Sequence, residues 1–567
     1  MKVVIVGGVA GGASCAARLR RLDENAEIIL LERGEHISFA NCGLPYYIGG
    51  VIKDKEKLIV AEPDDFRIRF NVDVRTLSEA VAIDRARKTV TIKDIPSGKI
   101  YIESYDKLVL APGAKPVVPD IEGSGSNRAF TLRNIPDTYR IKEFIENTNP
   151  KKAVVAGGGF IGIEIAENLA GLGIEVTLAE LQEQLLPLLD YDMAAAVHNH
   201  IRSKGVNLLL NTAIERIAPS RNGLEVNLGG KGYPADFVVL ALGVRAESGL
   251  AKDCGLMCSQ RGGIKVNKHL QTSDPDIYAA GDAIEVTDFV TGEPVMVPLA
   301  GPANKQGRII ADNICGIPSM YGGAQGSSVI KVFDMTVAAT GINEKTAKRL
   351  NLNYEKAFTY SANHATYYPG ATNISIKTIF DKENGRILGA QLVGYEGTDK
   401  RADILATAIR AKMTAKDLTE LELCYAPPYS SAKDPVNMIG YVIENILEGK
   451  EKVYHWHDIE ALQARKDITL LDTRTEEEYS RGHIEGYINI PLDSLRQRIG
   501  ELNKGKPVYL TCQVGLRGYL AARILMQHGF DSYNLSGGYR LYNSIFRVSS
   551  PKTGVKINTE TQKPEKG

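Results

Sequence analysis

The chain opens with KVVIV, an almost unbroken apolar run, and then breaks into GGVAGG. A continuous run of this kind suits a strand covered on both faces of a sheet. The residues that follow, ASCAARLRRLDENAEIILLERG, read as a helix and a second strand. From residue 152 the same textures return in KKAVVAGGGFIGIEIAENLAGLGIEVTLAEL, so the pattern predicts two strand–turn–helix–strand units in series. YDKLVLAPGAKP and ADFVVLALGVRAE read as buried strands ending in tight turns, and TSDPDIYAAGDAIEV as a short strand with an acid after glycine. From Ser327 to Leu447 the texture changes to alternating strands, NISIKTIFD and RILGAQLVG among them, then helices. A charged stretch over Gly449–Asp458 reads as a linker. Beyond it strands and helices alternate again: ITLLDTR, then KPVYLTCQVGLRG, then YLAARILMQHG. The polar tail 549–567 is expected to be disordered.

Length adds a domain count: 567 residues suggest three to four domains. Lysine plus arginine and aspartate plus glutamate both number 68, which argues against a chain built to coat nucleic acid or an anionic membrane. No apolar run approaches a membrane span. The N-terminal apolar run is too short for a secretory leader and runs straight into glycines. The cysteines, Cys15, Cys42, Cys254, Cys258, Cys315, Cys424 and Cys512, have neither framework spacing nor a CxxC pair. No disulfide scaffold and no metal site is therefore expected, and the cytoplasm is the expected compartment.

In the second unit Gly157, Gly159 and Gly162 match G-x-G-x-x-G between a strand and a helix. The first glycine makes the turn, the second admits a pyrophosphate, and the third lets helix and strand pack closely. Glu180 ends the next strand, where an acid binds a ribose 2′-hydroxyl and repels a 2′-phosphate, so NADH is favoured over NADPH. The first unit keeps Gly7 and Gly12 but has Val9 at the middle position; Gly8 and Gly11 are expected to restore the close approach. Glu32 is its strand-end acid. Two such units suggest one bound flavin dinucleotide and one exchanging nicotinamide, with Asp282 of AAGD contacting the flavin's ribityl or phosphate region.

Together GGVAGG, SFANCG, GGGFIG, AAGDA and HATYYPGA resemble the single-cysteine branch of the pyridine nucleotide–disulfide oxidoreductases, the coenzyme A disulfide reductases and NADH-dependent persulfide reductases. The resemblance covers roughly residues 1–447. Where dithiol reductases of the superfamily carry a second cysteine, five positions after the first, this chain has Tyr47, and the His-Glu pair of those enzymes is missing from LELCYAPPYSSAKDP. Cys42 is thus implied to cycle between a thiolate and an adduct without a protein partner, its pKa lowered by the flavin and a helix terminus. The resemblance implies FAD contacts from Gly7, Gly12, Glu32, Arg33, Asn41, Val81, Ala111, Gly113, Asp282 and Ala300. It implies NAD contacts from Gly157, Gly159, Phe160 (an aromatic gate), Gly162, Glu164, Glu180 and Gly243. Coenzyme A is implied to meet Ser14, Arg18, Arg21, Ser38, Asn41, Arg67, Arg69, Asn304 and Lys433. Tyr367 and Tyr425 are implied to come from the partner subunit of a homodimer with shared active sites and to protonate a leaving thiolate.

LLDTRTEEEYSRGHIEGYINIP and VYLTCQVGLRGYLAARIL resemble a rhodanese domain. Cys512 is the implied sulfur carrier, with Arg517 completing a loop whose backbone N–H groups cradle negative charge and depress the thiol pKa. Four residues separate Cys512 from Arg517, the sulfur-transferring loop length, and Asp472 and Arg474 are implied to organise the loop. The fold class that follows is α/β: two Rossmann-like nucleotide-binding domains, an α+β dimerisation domain and a C-terminal α/β rhodanese domain. Expected boundaries are 1–117 with 247–325 for FAD, 118–246 for NAD, 326–447 for dimerisation and 453–548 for the rhodanese. The implied activity is NADH-dependent reduction of persulfides, polysulfide or coenzyme A disulfide through FAD and Cys42, coupled to sulfur transfer at Cys512. The alternative is an NADH oxidase or peroxidase in which Cys42 cycles through sulfenic acid, a branch that relies on a histidine near the flavin. His36 does not clearly match it.

Overall fold

The apolar run Lys2–Val6 becomes a central strand of a five-stranded parallel sheet, with Lys107–Leu110 on one side and Glu27–Leu31 on the other. Ile277–Ala279 and Asp73–Arg75 close the two edges. Val3, Val4 and Ile5 are fully buried because helices and loops cover both faces. The computed structural model describes residues 1–546; the tail expected to be disordered lies outside them.

The described chain divides into two compact units, Met1–Leu185 with Gly205–Gly326, and Leu186–Lys204 with the residues from Ser327 onward. In the first unit the sequence echo extends to topology. Lys152–Ala156 lies in a second five-stranded parallel sheet between Glu175–Ala179 and Phe237–Leu240. Lys2 pairs with Glu27 in one sheet as Lys152 pairs with Glu175 in the other. Each half also carries a three-stranded antiparallel sheet, Ser78–Asp84 through Ile100–Ser104 and Ile214–Ser220 through Lys231–Ala235, which the apolar pattern had not distinguished.

The second unit holds an antiparallel five-stranded sheet whose long central members are Asn373–Asp381 and Ile387–Gly394. The Lys377 side chain in this sheet is fully buried, and it is held by Asp190 at 2.9 Å, Asp192 at 2.8 Å and Glu344 at 2.9 Å. A buried ammonium survives only with such compensation. The C-terminal sheet is parallel, in the order Val453–Tyr454, Ser532–Leu535, Val508–Thr511, Thr469–Asp472, Ile488–Asn489. The stretch read as a linker therefore supplies an edge strand. It also supplies Trp456, whose Nε1 donates to Asp192 at 3.3 Å, and the buried His455, whose Nε2 lies 3.0 Å from Glu355. The α/β class is the one the sequence implies, and no helix among the described residues is long and apolar enough to cross a membrane.

Candidate active sites

Both glycine turns use one device. Gly7 and Gly157 adopt φ of +101° and +111°, a region that favours glycine. A Cβ on Gly12 would meet the Gly7 carbonyl oxygen at 1.9 Å, and one on Gly162 would meet that of Gly157 at 1.8 Å. The helices that follow, Ala10–Leu22 and Phe160–Gly171, have no side-chain N-cap, so their first-turn N–H groups stay available to an anion. Glu32 accepts from the N–H of Gly8 at 2.9 Å and of Gly34 at 2.8 Å; Glu180 accepts from Gly158 at 2.6 Å and Gln182 at 2.8 Å. Each carboxylate is fixed at the rim of its turn. Gly159 faces open space, as a pyrophosphate contact requires. A Cβ on Gly8 would meet Ile37 and one on Gly11 would meet Ala280, so both glycines also make room for packing. The two turns fit two dinucleotides.

Around the first turn, Gly113 (φ +75°) lies against Arg133, and Ala300 opens the helix Ala300–Ile314. Val81 is exposed at a bulge in its strand, and Arg33 pairs with Glu247 at 2.7 Å. Ala111 follows the strand Lys107–Leu110 and lines the Gly7 turn. Gly243 turns at φ +98° beside the second site, and Phe160 is half-buried at the first helical position.

Cys42 lies in a single helical turn, Asn41–Gly43, leading into the short helix Leu44–Ile48. Its residue is exposed, and all seven cysteines are unpaired. Arg133 organises this corner. Its Nε donates to the Ala114 carbonyl at 2.6 Å and its NH2 lies 3.8 Å from Asp282. The Asn41 amide, with its oxygen toward the guanidinium, accepts from Arg133 at 2.6 Å and donates to the Arg133 carbonyl at 3.0 Å. Sequence patterns gave no sign of Arg133, because it lies in the unremarked TLRNIP, far along the chain from Asn41 and Asp282.

The protein's own groups do not supply the lowering expected at Cys42. Crowding by protein, then the Glu164 and Asp282 carboxylates, push the thiol up. The following helix has five residues, too short for a strong dipole. Glu164 is itself pushed to about 7 by burial, with the Tyr46 hydroxyl 3.5 Å away. Tyr46 is a second residue that the sequence did not single out.

Of the coenzyme A candidates, Ser14 and Asn304 come together, hydroxyl to amide oxygen at 2.7 Å. Ser38 takes a left-handed φ of +46°. Arg21, Arg69 and Lys433 are exposed. Arg18 is held by Asp312 at 2.8 Å, and Arg67 is paired with Asp64, so neither presents a bare charge. In the second unit, Tyr367 and Tyr425 are exposed and hydrogen-bonded to each other. Beside Tyr425 a cavity of about 530 Å³ is lined by His364, Lys400, Cys424 and Tyr429 among others.

Cys512 follows the strand Val508–Thr511 and is buried. The Gly515 N–H donates to its Sγ at 3.1 Å. Burial outweighs the backbone N–H groups of Gly518, Gly515 and Val514 and the Arg517 charge, so this thiol is also pushed up, contrary to expectation. The N–H of Tyr539 donates to the Cys512 carbonyl at 2.8 Å, and Arg474 lies 3.9 Å over the Tyr539 ring while paired with Asp472 at 2.7 Å. Asp472 and Arg474 thus act on the loop through Tyr539. Arg517 is bound through both guanidinium nitrogens to Glu478, at 2.7 and 2.6 Å, a partner not foreseen.

Residues 1–307 match the family model described as pyridine nucleotide-disulphide oxidoreductase, and 327–435 its dimerisation domain. Residues 456–544 match a rhodanese-like domain. The chain is 37% identical to a coenzyme A disulfide reductase from Staphylococcus haemolyticus, over 78% of this chain and 98% of that one. The structure of reduced Bacillus anthracis CoADR-RHD is 53% identical with a TM-score of 0.94, covering 96% of this chain and 98% of that chain. A NAD-dependent persulfide reductase from A. fulgidus is 41% identical with a TM-score of 0.89, covering 96% of this chain and all of that one.

Proposed function

The chain belongs to the pyridine nucleotide-disulphide oxidoreductase family, and from that membership we propose that it reduces persulfides, polysulfide or coenzyme A disulfide with NADH at Cys42 and transfers sulfur at Cys512. The observation that carries the reading is an exposed thiol at Cys42 with Tyr47 in place of a resolving cysteine. Such a thiol forms its mixed disulfide with the substrate, not with its own chain.

Gly7, Gly12, Glu32, Asn41, Gly113 and Asp282 would hold FAD, and Gly157, Gly159, Gly162 and Glu180 would hold NADH. Bound FAD supplies the two-electron relay from nicotinamide to sulfur. The Cys42 thiolate attacks the substrate's S–S bond; one half leaves as a thiol and the other stays on Cys42. Two electrons then cleave that mixed disulfide, release the second thiol or hydrosulfide, and restore Cys42. Tyr367 and Tyr425 donate the proton that a leaving thiolate needs. The dimerisation domain supports a homodimer in which the tyrosine pair of one subunit serves the thiol of the other. Ser14, Asn304, Arg18, Arg21, Ser38, Arg67, Arg69 and Lys433 are the proposed coenzyme A contacts. The seven unpaired cysteines support a reducing cytoplasm.

The test is NADH consumption by the purified protein with coenzyme A persulfide, coenzyme A disulfide, peroxide and oxygen in parallel. Sulfur substrates should dominate, and Cys42→Ser should abolish their turnover. Faster turnover of peroxide or oxygen would establish the sulfenic acid cycle instead.

A further inference from the structure

The Cys512 site is electrically balanced in a way that bears on what can donate sulfur to it. Arg517 is matched by Glu478 through two short bonds, and Arg474 by Asp472. Glu478 is fixed on its other side as well. It accepts from the Thr475 N–H at 2.9 Å, while the Thr475 hydroxyl accepts from the Glu478 N–H at 3.2 Å, a capping box on the helix Glu476–Ser480. Burial opposes the carboxylate, but Arg517 and the Thr475 N–H override it and hold Glu478 down to about 2, so it is ionised throughout the neutral range. Glu476 and Glu477 precede it on the same turn, and Arg481 is taken by Glu477. What faces the sulfur as donor is backbone, led by the Gly515 N–H. The rim next to it is apolar: Leu516 and Leu520, one helical turn apart on Leu516–Gln527, are 59% and 44% exposed.

Backbone N–H groups can hold the negative charge of a sulfur at Cys512. For a dianion such as thiosulfate, the Arg517 charge beside the loop is already matched by Glu478 and is weakened as a partner for the sulfonate. A persulfide borne on an organic thiol brings at most one charge at the reacting sulfur and an apolar stem that can lie on Leu516 and Leu520.

We propose that Glu478, by neutralising Arg517 beside an apolar rim, makes Cys512 selective for sulfane sulfur carried on an organic thiol and against thiosulfate. This rests on the reading of Cys512 as a sulfur carrier. The Cys512 thiolate attacks the terminal sulfur of RS–SH; the donor S–S bond breaks, RS⁻ departs, and Cys512–S–SH forms with the proton retained. With thiosulfate the same attack releases sulfite and leaves Cys512–S–S⁻.

The full-length protein tests this without NADH, by thiocyanate formation from cyanide with an alkyl persulfide (butyl persulfide) or thiosulfate as donor. Wild type should use the persulfide with the higher kcat/KM. Glu478→Gln, which keeps an amide oxygen for the cap, should raise kcat/KM for thiosulfate about tenfold and change that for the persulfide by less than about threefold. Leu516→Gln, on an exposed position that folding tolerates, should lower kcat/KM for the persulfide several-fold and leave thiosulfate unchanged. Equal use of both donors by wild type overturns the proposal, as does a thiosulfate rate unmoved by Glu478→Gln in protein with native circular dichroism. If Glu478→Gln does not fold, an equal loss for both donors in Leu516→Gln overturns it. Unchanged rates in Cys512→Ala would remove the sulfur-carrier reading itself, and the selectivity with it.

Discussion

The hydroxyl of Tyr367 lies 2.7 Å from that of Tyr425, joining two exposed loops 58 residues apart. The shared hydrogen bond pushes the Tyr367 phenol up, so it holds its proton through the neutral range. One hydroxyl donates to the other, and the second keeps a proton, the one that the proposed function assigns to a leaving thiolate. Tyr425→Phe removes one member and leaves the ring. It should lower kcat for disulfide or persulfide reduction by about 10- to 100-fold. Flavin reduction by NADH without acceptor, followed in a stopped-flow instrument, should keep its rate. A kcat equal to wild type would take the pair out of the chemistry.

Glu164 and Cys42 oppose one another. The carboxyl is raised to about 7 by burial, and its charge in turn raises the thiol. As pH climbs through 7 Glu164 ionises, and ionising Cys42 becomes harder. Glu164→Gln should lower the pH midpoint of Cys42 alkylation by iodoacetamide, though burial still holds it up. The inflection near 7 in the pH profile of kcat/KM should also vanish. A midpoint that stays in place would mean that the two groups do not sense each other.

Glu180 holds the second glycine turn by its bond to the Gly158 N–H, and the proposed function makes it the acceptor for a ribose hydroxyl. Glu180→Ala should raise KM for NADH about tenfold and narrow the preference over NADPH by a similar factor, measured with one acceptor at saturation. Because Glu180 also fixes the turn, KM for NADPH should not fall below the wild-type KM for NADH. Retained discrimination would assign the choice of nucleotide to other residues.

Both nucleotide units were legible because everything that defines them is local. A buried strand, a glycine turn and a strand-end acid fall within about thirty residues. Cys42 and Cys512 were legible for the same reason, each embedded in a short unusual string. What the sequence hid is long-range. Arg133 reaches Asn41 and Asp282, Glu478 reaches Arg517, and nothing near either residue marks the partner. Lys377 sits in NISIKTIFD, which alternates as a half-exposed strand would, yet it is fully buried because three carboxylates from elsewhere in the chain converge on it. The burial around both thiols was hidden for a related reason. A motif shows the donors around a sulfur but not how much protein is stacked over it.

Glu451 provides the last test, through stability. It lies in the stretch that resembled a linker, but is buried, and it accepts from the Asn534 Nδ2 at 2.7 Å. The same Nδ2 donates to the Gly515 carbonyl at 2.9 Å, so Glu451 braces the loop that cradles Cys512. Burial raises the carboxyl from 4.5 to about 7, and the bond from Asn534 offsets only part of that. Between those two pH values the folded state holds a proton that the unfolded chain has released. Stability therefore falls as pH rises across this window and is lowest, as far as this group is concerned, above 7. Glu451→Gln keeps the acceptor and removes the titration. Its melting temperature should match wild type near pH 5 and exceed it near pH 8, by an amount corresponding to on the order of 1–3 kcal/mol. Parallel melting curves across that range would show that Glu451 is solvated in the folded protein and braces nothing.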